Sequence, residues 1–411
     1  MDDVERRPKG IIITNLFPNR AEPTRGTFVW QETQALRAFM DLKVVSPLPY
    51  VPPWLRGRSK YAFHAAPRRD ELDGLEVHYP RHLVFPNMLR PLYGPLMEAA
   101  LYPLLRRLTA EQGSDILIAH YAYPDGYAAV RVGRALGLPV LVKVRGSDVN
   151  IYLRSTFRRA QTRWALQRAA HVITVSRALR ERVIELGIPP ERVSATPNGV
   201  DASRFNPLDR ARCREELGLE PEPFLFLFVG MLRPIKNVLM LLKAFRDLPE
   251  SRRRHARLVL LGEGELEAEV QRRIVDYQME REVRRLPFVS HDQVPRWLGA
   301  SDCLVLPSVM EGYPNVLVEA LASGRPVIAS RVGGIPEIVA EGKTGLLVDP
   351  ARTASITDAM ATMMDGFAFD AAAAGAAARG WKDVAAEMAA LARGVLAARD
   401  AVSARGRAVR A

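Results

Sequence analysis

Cysteine is scarce in this sequence, whose 411 residues include only two, Cys213 and Cys303. They lie far apart, which argues against a disulfide framework and a cysteine-based metal site and fits a reducing compartment. Long apolar runs are missing too, because Arg or Pro interrupts every candidate before the roughly 18 residues that a membrane-spanning helix needs. Residues 11–13, the apolar run after the charged N-terminus, are too few for a signal-peptide core. We therefore expect a cytoplasmic chain that does not span a membrane.

Acidic residues are the minority among the charges: 46 Asp and Glu oppose 58 Lys and Arg, a formal net charge of +12. Such a surplus attracts polyanions, whether nucleic acid, anionic lipid or phosphorylated substrates. The sequence shows no helix-turn-helix pattern, no zinc-ligand spacing and no RNP-like aromatic strand to accompany the charge. We expect no nucleic-acid partner and favour phosphorylated small molecules or lipid headgroups.

Short apolar runs alternate with segments of helical spacing in two successive series. This βαβ order predicts an α/β fold with parallel, doubly wound sheets. Two domains are expected, since single cores stop growing near roughly 250 to 300 residues. We predict a first domain over residues 1–205, a linker of charged, Pro-containing sequence over 206–222, a second domain over 223–375, and a C-terminal helix with an Ala/Arg-rich tail over 376–411.

The apolar runs predict strands at residues 11–14, 43–46, 115–119, 139–145 and 171–175 of the first series, and at 224–229, 257–261, 283–288, 302–306, 326–329 and 345–348 of the second. Helical spacing in the first series covers residues 27–40, 125–138, 158–170 and 176–186. Ligands of such sheets lie beyond the carboxyl ends of the strands, where helix N-termini direct backbone N–H groups at phosphates. Residues that follow strands are therefore the candidates for a site.

One candidate is the turn after the predicted strand 224–229, where residues 230–237 read Gly-Met-Leu-Arg-Pro-Ile-Lys-Asn. Gly230 permits a tight turn, and Arg233 and Lys236 place two cations at the start of a helix. Such a turn suits a diphosphate. Taken alone, it is equally consistent with a glycine-bearing turn that carries two solvated bases.

The most specific segment follows the predicted strand 302–306 and reads P-S-V-M-E-G-Y-P-N-V-L-V-E-A-L-A-S-G-R-P-V over residues 307–327. Its loop exposes backbone amides, and a helix opens near Asn315. Glu319, about one turn into that helix, can accept two hydrogen bonds from vicinal hydroxyls such as those of a ribose. Glu311 lies in the loop, where it can contact a transferred sugar. The segment predicts a site for a nucleotide sugar.

This segment, continued by Val-Ile-Ala-Ser-Arg-Val-Gly-Gly-Ile-Pro-Glu-Ile-Val, closely resembles the signature of the retaining glycosyltransferases of family 4. Residues 196–201, Thr-Pro-Asn-Gly-Val-Asp, together with Phe205, resemble the interdomain stretch of the same family. The resemblance covers residues 11 to about 349. It implies the GT-B fold, in which two Rossmann-like domains face each other across a cleft and a C-terminal helix returns to the first domain. The first domain would bind the acceptor and the second the nucleotide-sugar donor.

The resemblance also implies residue roles. Lys236 would bind the donor diphosphate and Glu319 the ribose, while Glu311 and the loop after it would bind the donor sugar. In the first domain, Gly26 resembles the glycine that approaches the donor phosphates, although Arg25 stands where the family often has a second glycine. The predicted donor-binding residues are Gly26, Gly230, Arg233, Lys236, Gly312, Tyr313, Pro314, Asn315, Val316 and Glu319.

Three positions depart from the family pattern. Met231 replaces an arginine after the glycine of the phosphate turn, so that Arg233 would have to supply that charge. Arg145 replaces a histidine before Gly-Ser-Asp; it cannot act as a base at neutral pH but can neutralise phosphate. Pro287 replaces a glycine. The candidate catalytic residues are Glu311, Lys236, Arg233 and Arg145, and His120 is a candidate base or acceptor contact, although a histidine at a strand end is more often structural.

The sequence contains no Asp-x-Asp pair, the usual metal–diphosphate clamp of the other major transferase fold. We therefore expect Lys236, Arg233 and helix N-termini to meet the charge of the leaving group, with no metal and no cofactor beyond the nucleotide-sugar co-substrate. The resemblance implies a hexosyl- or other glycosyltransferase that works by front-face substitution through an oxocarbenium-like state. The departing phosphate would help to deprotonate the acceptor hydroxyl.

Two basic, partly apolar stretches suggest an interface. Residues 49–70 interleave Trp54, Leu55, Tyr61 and Phe63 with five basic residues, and residues 89–107 are apolar with Arg90, Arg106 and Arg107. The first stretch is either a solvated loop or a membrane-facing or acceptor-binding loop. Residues 119–126 and 144–148 resemble a subgroup that acts in bacterial exopolysaccharide assembly. We predict a glycan or lipid-linked acceptor and leave open peripheral attachment to an anionic membrane at its inner face.

Other functions remain open at this point. A sugar-nucleotide epimerase would bind the same donor without transferring it, but the signature that contains Glu311 and Glu319 argues against it. The departures at Met231 and Arg145 are also compatible with a non-catalytic sugar-nucleotide-binding or polysaccharide-binding protein. A nicotinamide dehydrogenase ranks last, because no Gly-x-Gly-x-x-Gly follows the first strand.

Overall fold

The computed structural model describes residues 6–55, 59–85, 89–150 and 156–408. The chain divides into two compact units. The first contains the residues up to Pro197 and those from Trp381 onward, and the second is Asn198–Gly380. The first unit thus ends before residue 205, and residues 376–380 belong to the second unit, so both boundaries differ from the predicted ones.

The predicted linker over residues 206–222 instead packs as part of the second unit. It contains the helix Arg210–Glu216, which Asp209 caps by accepting a hydrogen bond from a backbone amide. The side chain of Arg214 is only 2% exposed, and its Nη2 lies 2.6 Å from Oδ2 of Asp302. The charged composition that suggested a linker therefore includes a buried ion pair, which ties the segment to the second sheet.

The first unit contains an eight-stranded sheet in the order β10-β9-β8-β7-β1-β2-β5-β4, parallel except for the antiparallel pair of β4 and β5. All five predicted strands are present. A separate short parallel pair is formed by β3 and β6. The strands are β1 Lys9–Ile13, β2 Asp41–Val45, β3 Leu48–Pro49, β4 Arg69–Leu72, β5 Leu75–His78, β6 Arg81–His82, β7 Ile116–His120, β8 Val140–Val144, β9 His171–Thr174 and β10 Val193–Ala195.

The hairpin of β4 and β5 was not predicted from the sequence, because both strands carry charged residues and neither is a continuous apolar run. Its signal is the turn Asp73-Gly74, where both residues have positive φ, 49° and 73°. An Asp-Gly pair between two short runs is typical of a two-residue hairpin. This hairpin forms the edge of the first sheet.

Helices cover the central strands, which are buried as expected for a parallel sheet between helical layers. The helices are α1 Thr27–Leu36, α2 Tyr93–Gln112, α3 Tyr127–Leu136, α4 Ser147–Asn150, α5 Thr156–Arg168 and α6 Arg177–Ile184. The C-terminal helix, Trp381–Ala408, packs on α1 and adds Trp381, Val384 and Met388 to the core of this unit. The predicted return of a C-terminal helix to the first domain is confirmed.

The two stretches predicted as interfacial are partly core. Phe63 is 8% exposed and packs in the first core, because the short 3₁₀ helix Ser59–Ala65 turns it inward. Within residues 89–107, one face of α2 buries Met97, Leu101 and Leu105. Arg56 and Arg58 lie outside the described residues, as do the side chains of Leu55, Lys60 and Tyr61. Trp54, at 81% exposure, remains an exposed apolar residue.

The second unit contains a six-stranded parallel sheet in the order β13-β12-β11-β14-β15-β16, which is the 3-2-1-4-5-6 order of a Rossmann fold. Its strands are β11 Phe224–Val229, β12 Ala256–Leu261, β13 Val283–Leu286, β14 Cys303–Leu306, β15 Val327–Ser330 and β16 Gly345–Val348. Its helices are α7 Arg210–Glu216, α8 Val238–Arg246, α9 Glu250–Arg253, α10 Glu267–Asp276, α11 Val294–Ala300, α12 Asn315–Ala322, α13 Ile335–Ile338, α14 Thr353–Met364 and α15 Ala371–Ala377, and the C-terminal helix of the first unit is α16.

Each sheet has a point where the strand order reverses, between β1 and β7 in the first unit and between β11 and β14 in the second. Ligands of doubly wound sheets bind beyond the carboxyl ends of the strands at such points. Within the described part of the chain, no helix combines the length and the apolar character needed to cross a bilayer.

Candidate active site

Both predicted donor segments of the second unit start at its switch point. Gly230 follows β11, and Pro307 follows β14, the neighbouring strand. The carboxyl ends of parallel strands meet at one edge of a sheet, so these distant segments become adjacent. The amide of Val309 donates a 2.9 Å hydrogen bond to the carbonyl of Ile235, which joins the two loops directly.

Lys236 and Glu311 form an ion pair in these loops. Lys236 ends the 3₁₀ turn Pro234–Lys236, and its Nζ lies 2.6 Å from Oε1 of Glu311. The side chains are 24% and 12% exposed, so the pair is partly shielded from water. The structure thus brings together the residues predicted for the diphosphate and for the sugar. Arg233, the second predicted cation, has an exposed side chain, as does Met231.

A glycine supports the loop that carries Glu311. Gly333 follows β15 with a φ of 51°, and a Cβ there would overlap the carbonyl oxygen of Glu311. The next residue, Gly334, donates its amide to the carbonyl of Gly312 at 3.0 Å. The Gly-Gly pair after β15 therefore lets one backbone approach another, and the hydrogen bond from Gly334 holds the peptide between Gly312 and Tyr313.

Glu319 lies in the second turn of α12, which begins at Asn315 as predicted. Its Oε1 lies 3.1 Å from Nε2 of His291, and the His291 ring packs on Phe205 with 5.2 Å between the centroids. The side chain of Asn315 accepts a 2.8 Å hydrogen bond from Asn198. Both Phe205 and Asn198 belong to the segment that resembled the family's interdomain stretch. In this structure that segment positions donor-site residues.

The remaining loop residues lie between these anchors. Gly312, Tyr313 and Val316 are half-buried, and Pro314 is buried. Burial, followed by the nearby charge of Glu337, raises the pKa of Tyr313 to about 12, so its hydroxyl remains protonated at neutral pH. The loop therefore presents backbone groups and a neutral phenol around the Lys236–Glu311 pair.

In the first unit, Gly26 caps α1 with a φ of 64°, and a Cβ there would overlap the carbonyl of Leu16. Only glycine fits this left-handed, crowded position without strain. Arg25 donates to the carbonyl of Asn15 at 2.9 Å and pairs with Glu22 at 3.0 Å. Its side chain thus holds together the loop between β1 and α1.

His120 and Arg145 meet at the carboxyl edge of the first sheet, where His120 is the last residue of β7 and Arg145 directly follows β8. Nη2 of Arg145 lies 2.7 Å from Nδ1 of His120 and 3.0 Å from Oε2 of Glu32 on α1. The same carboxylate oxygen accepts a 2.7 Å hydrogen bond from Nζ of Lys143. The Arg145 guanidinium also lies over the Phe28 ring, 4.8 Å from its centroid. These four polar side chains are almost fully buried.

The electrostatics of this cluster set the charge of each member. Burial opposes ionisation of Glu32, but the charges of Arg145 and Lys143 outweigh it and lower its pKa to about 2. Burial and the charge of Arg145 lower the pKa of His120 to about 3. Burial lowers the pKa of Lys143 to about 8, against the attraction of Glu32. At neutral pH His120 is therefore neutral, and its low pKa makes it a weak base, which favours a hydrogen-bonding contact over general-base catalysis.

Acidification is expected to destabilise the first unit through His120 and Glu32. Both pKa values are lower in the folded than in the unfolded chain, so the unfolded chain binds more protons below about pH 6.5 for His120 and about pH 4.5 for Glu32. Each such proton reduces the free energy of unfolding by about 1.4 kcal/mol per pH unit. Urea unfolding from about pH 7.5 to about pH 5 measures the slope. His120→Gln should reduce the slope of the unfolding free energy against pH. His255→Gln, at an exposed histidine, is the control and should leave the slope unchanged. Equal slopes in the wild-type protein and both variants would contradict the lowered pKa of His120.

Comparison with known families gives two adjacent matches. The model described as "Glycosyltransferase Family 4" matches residues 56–204, and the one described as "Glycosyl transferases group 1" matches residues 209–379. The two matches together cover most of the chain, which is a family 4-like glycosyltransferase. The second match contains Lys236, Glu311 and Glu319, and the first contains His120 and Arg145.

Two relatives and one solved structure illustrate the similarity. D-inositol 3-phosphate glycosyltransferase of Pseudarthrobacter chlorophenolicus is 31% identical over 64% of this chain, and the matched region spans 65% of that relative's length. The putative teichuronic acid biosynthesis glycosyltransferase TuaC of Bacillus subtilis is 28% identical over 85% of this chain and 87% of its own. The Anabaena protein HepE, solved in complex with UDP, has a TM-score of 0.71 at 18% identity and covers 94% of this chain and 100% of its own. The fold is GT-B.

Several residues near the candidate site of this glycosyltransferase were not predicted from its sequence. Glu32 and Lys143 belong to no recognisable motif. A glutamate in a helix and a lysine in a strand usually face solvent, so nothing in the sequence marked these two as buried. His291 lies in the loop after β13, so its place after a strand was the available signal. Gly262, directly after β12, approaches the turn that follows β11 so closely that a Cβ would overlap the carbonyl of Gly230. Among the described residues, no three His, Cys, Asp or Glu side chains cluster as metal ligands would.

Proposed function

We propose that this glycosyltransferase moves a glycosyl residue from a nucleotide-diphosphate sugar to a hydroxyl of a glycan or lipid-linked acceptor, with retention of configuration. The observation that carries the proposal is the Lys236–Glu311 pair, 2.6 Å apart at the switch point of a Rossmann-type unit. HepE was solved in complex with UDP, which supports a nucleotide-sugar donor. Both relatives are glycosyltransferases by name, which supports sugar transfer. TuaC further supports a role in cell-surface polysaccharide synthesis.

The donor would be held at three places in the second unit. The carboxylate of Glu319, with one oxygen beside His291, can accept hydrogen bonds from the vicinal ribose hydroxyls. The turn that follows Gly230 offers Lys236 to the diphosphate, and Arg233 adds charge from its exposed position. Glu311 and the loop Gly312–Val316 would contact the sugar. Gly26, at the N-terminus of α1, is proposed as a phosphate contact.

The proposed reaction breaks the bond between the anomeric carbon and the diphosphate oxygen, and the bonding electron pair leaves with the diphosphate. The acceptor hydroxyl oxygen bonds to the same face of that carbon, and its proton passes to the departing phosphate. Lys236 would stabilise the negative charge that grows on the leaving oxygen, while Glu311 holds the ammonium in place. Arg145 would add positive charge from the first unit. The proposal requires neither a metal nor a further cofactor.

Mass spectrometry of the purified protein with a panel of nucleotide sugars, with and without glycan and lipid-linked acceptors, tests the proposal. We expect release of nucleoside diphosphate from one donor and a mass increase of one glycosyl unit in an acceptor. Interconversion of the sugar nucleotide would indicate an epimerase. Tight binding of a donor without any turnover would indicate a non-catalytic binding protein.

We also propose a cytoplasmic location with peripheral attachment to the inner face of the membrane. Exposed apolar side chains occur on neighbouring segments of the first unit: Leu83, Phe85, Leu89, Leu92 and Phe157. The segments of Leu92 and Phe157 are joined, because Gln161 on α5 donates to the carbonyl of Pro91 at 3.0 Å. Arg90, Arg158 and Arg159 flank these apolar residues and suit anionic headgroups.

Replacing Phe157 and Leu92 by serine together should weaken binding to anionic vesicles, because both exposed side chains would insert at the interface. Removal of Arg90 should weaken it further by about 1 kcal/mol, roughly fivefold. Co-sedimentation with phosphatidylglycerol-containing and with neutral vesicles, at low and high salt, measures both effects. Val275→Ser, on an exposed apolar residue of the second unit, is the control. Equal sedimentation of the wild-type protein with both vesicle types would remove the membrane proposal.

A further inference from the structure

Glu32 is a buried carboxylate near the first switch point, and the reaction proposed above gives it no role. It lies in the second turn of α1 with 1% exposure. Its Oε2 accepts hydrogen bonds from Lys143 at 2.7 Å and from Arg145 at 3.0 Å. Both cations come from β8 or the residue after it. The same carboxylate oxygen of Glu32 therefore binds two positively charged side chains.

We propose that Glu32 is a positioning residue for sugar transfer, which holds the guanidinium of Arg145 and thereby fixes His120 as a hydrogen-bond donor through Nε2. Its effect on transfer rests on the proposed function. Its effect on His120 rests on side-chain geometry alone, so the two can fail separately.

The state of His120 follows from the chemistry of its partner. An arginine side chain has only N–H donors, and Nη2 of Arg145 lies 2.7 Å from Nδ1 of His120. Nδ1 must therefore accept, and in a neutral ring the hydrogen is then on Nε2. This nitrogen is buried with no hydrogen-bond partner among the described residues, and Oε1 of Glu32 is 3.7 Å away. His120 is arranged as a donor, and Arg145 sets that arrangement.

The charges show that Glu32 does more than neutralise Lys143. The cluster contains one carboxylate, one ammonium and one guanidinium, all buried, and His120 is neutral. A counter-ion for Lys143 alone would leave Arg145 free to turn toward water. Instead, Arg145 shares the oxygen that binds Lys143 and lies over Phe28. The charged groups that face His120 are Arg145 and Lys143 from the β8 side and Glu32 from α1.

Nitrogen-15 NMR of the full chain labelled at histidine tests this arrangement without any assay of activity. The seven histidines are distinguished by the signal that is lost in His120→Gln. In the wild-type protein, we expect His120 to carry its hydrogen on Nε2 and not to titrate between about pH 8 and about pH 5.5. A hydrogen on Nδ1, or protonation near the ordinary pKa of histidine, would overturn the proposal. In Glu32→Gln we expect a mixture of tautomers; an unchanged His120 signal would also overturn it.

A double variant separates positioning from charge balance. Glu32→Gln leaves two buried cations, whereas Glu32→Gln with Lys143→Met restores the net charge of the cluster and allows folding if the single variant does not fold. We expect the double variant to recover the thermal stability of the wild-type protein but to transfer sugar at least tenfold, and about a hundredfold, more slowly, with unchanged nucleoside diphosphate affinity. Wild-type transfer by the double variant would show that Glu32 only balances Lys143. Glu181→Gln, in an exposed pair with Arg180, is the matched control.

Failure of the proposed function has a different signature. Suppose that the wild-type protein turns over no donor, that His120 shows the expected tautomer, and that Glu32→Gln disturbs this tautomer. The proposed geometry is then supported and the proposed transfer reaction is contradicted. If transfer is measured and His120 carries its hydrogen on Nδ1, the transfer reaction stands and the role of Glu32 falls.

Discussion

Lys236→Ala is expected to lower the turnover of sugar transfer by roughly 100-fold to 1,000-fold, the cost of removing one preorganised electrostatic contact to a developing negative charge. Nucleoside diphosphate affinity should fall much less, because the charge on the leaving oxygen grows as the glycosidic bond breaks. The structure adds a second reason for the large loss of turnover. Nζ of Lys236 lies 2.6 Å from Oε1 of Glu311, so the ammonium group is already oriented. Transfer rates at saturating donor, beside calorimetric affinity for the nucleoside diphosphate, measure the two effects.

Two further variants sharpen this test. Lys236→Arg keeps the positive charge and should retain more turnover than Lys236→Ala. Lys243→Ala removes an exposed lysine from the last turn of α8, the helix that follows Lys236, and should leave transfer unchanged. Normal turnover in a folded Lys236→Ala protein would mean that the leaving group is stabilised elsewhere.

Glu319→Gln is expected to weaken nucleoside diphosphate binding roughly tenfold to a hundredfold, since hydrogen bonds to a charged group contribute about 1.5 to 3 kcal/mol. The substitution keeps the shape of the side chain but removes the charge that His291 and the ribose hydroxyls would share. Calorimetric titration with the nucleoside diphosphate measures the loss. Glu311→Gln should spare most of this affinity, because its proposed contact is with the sugar.

Deoxy analogues of the nucleotide identify the contact itself. If Glu319 binds the ribose, the wild-type protein should bind the 2′- and 3′-deoxynucleoside diphosphates more weakly than the ribonucleotide, and Glu319→Gln should discriminate much less. Equal discrimination by both proteins would place the ribose elsewhere, even if the overall affinity falls.

Much of the fold could be predicted from local sequence. Residues 224–229 were predicted as a strand and form β11 with the same limits, because a continuous apolar run is what a strand buried on both faces requires. The hairpin of β4 and β5 could not be predicted in this way, since its charged residues pair through backbone hydrogen bonds. Residues 206–222 were misread because composition does not reveal that Arg214 is buried against Asp302. A protein fragment that begins near residue 221 would lack α7 and leave Asp302 without this partner.

For the candidate site, too, the sequence predicted some features and not others. Its residue types and their places after strands were readable from the sequence, because the chemistry of diphosphate and ribose recognition calls for cations, glycines and carboxylates at strand ends. The side chain with which each of these residues pairs could not be predicted from the sequence. Lys236 and Glu311 are 75 positions apart, and Glu32 and Arg145 are 113 apart. Sequence alone thus determined the α/β alternation, the family signature and the residues that carry chemistry. The order of the strands decided which of those residues meet, because only the sheet brings distant carboxyl ends to one edge. Burial and charged neighbours there decided the protonation of His120 and Glu32, because removal from water shifts a pKa according to the neighbours that replace the water.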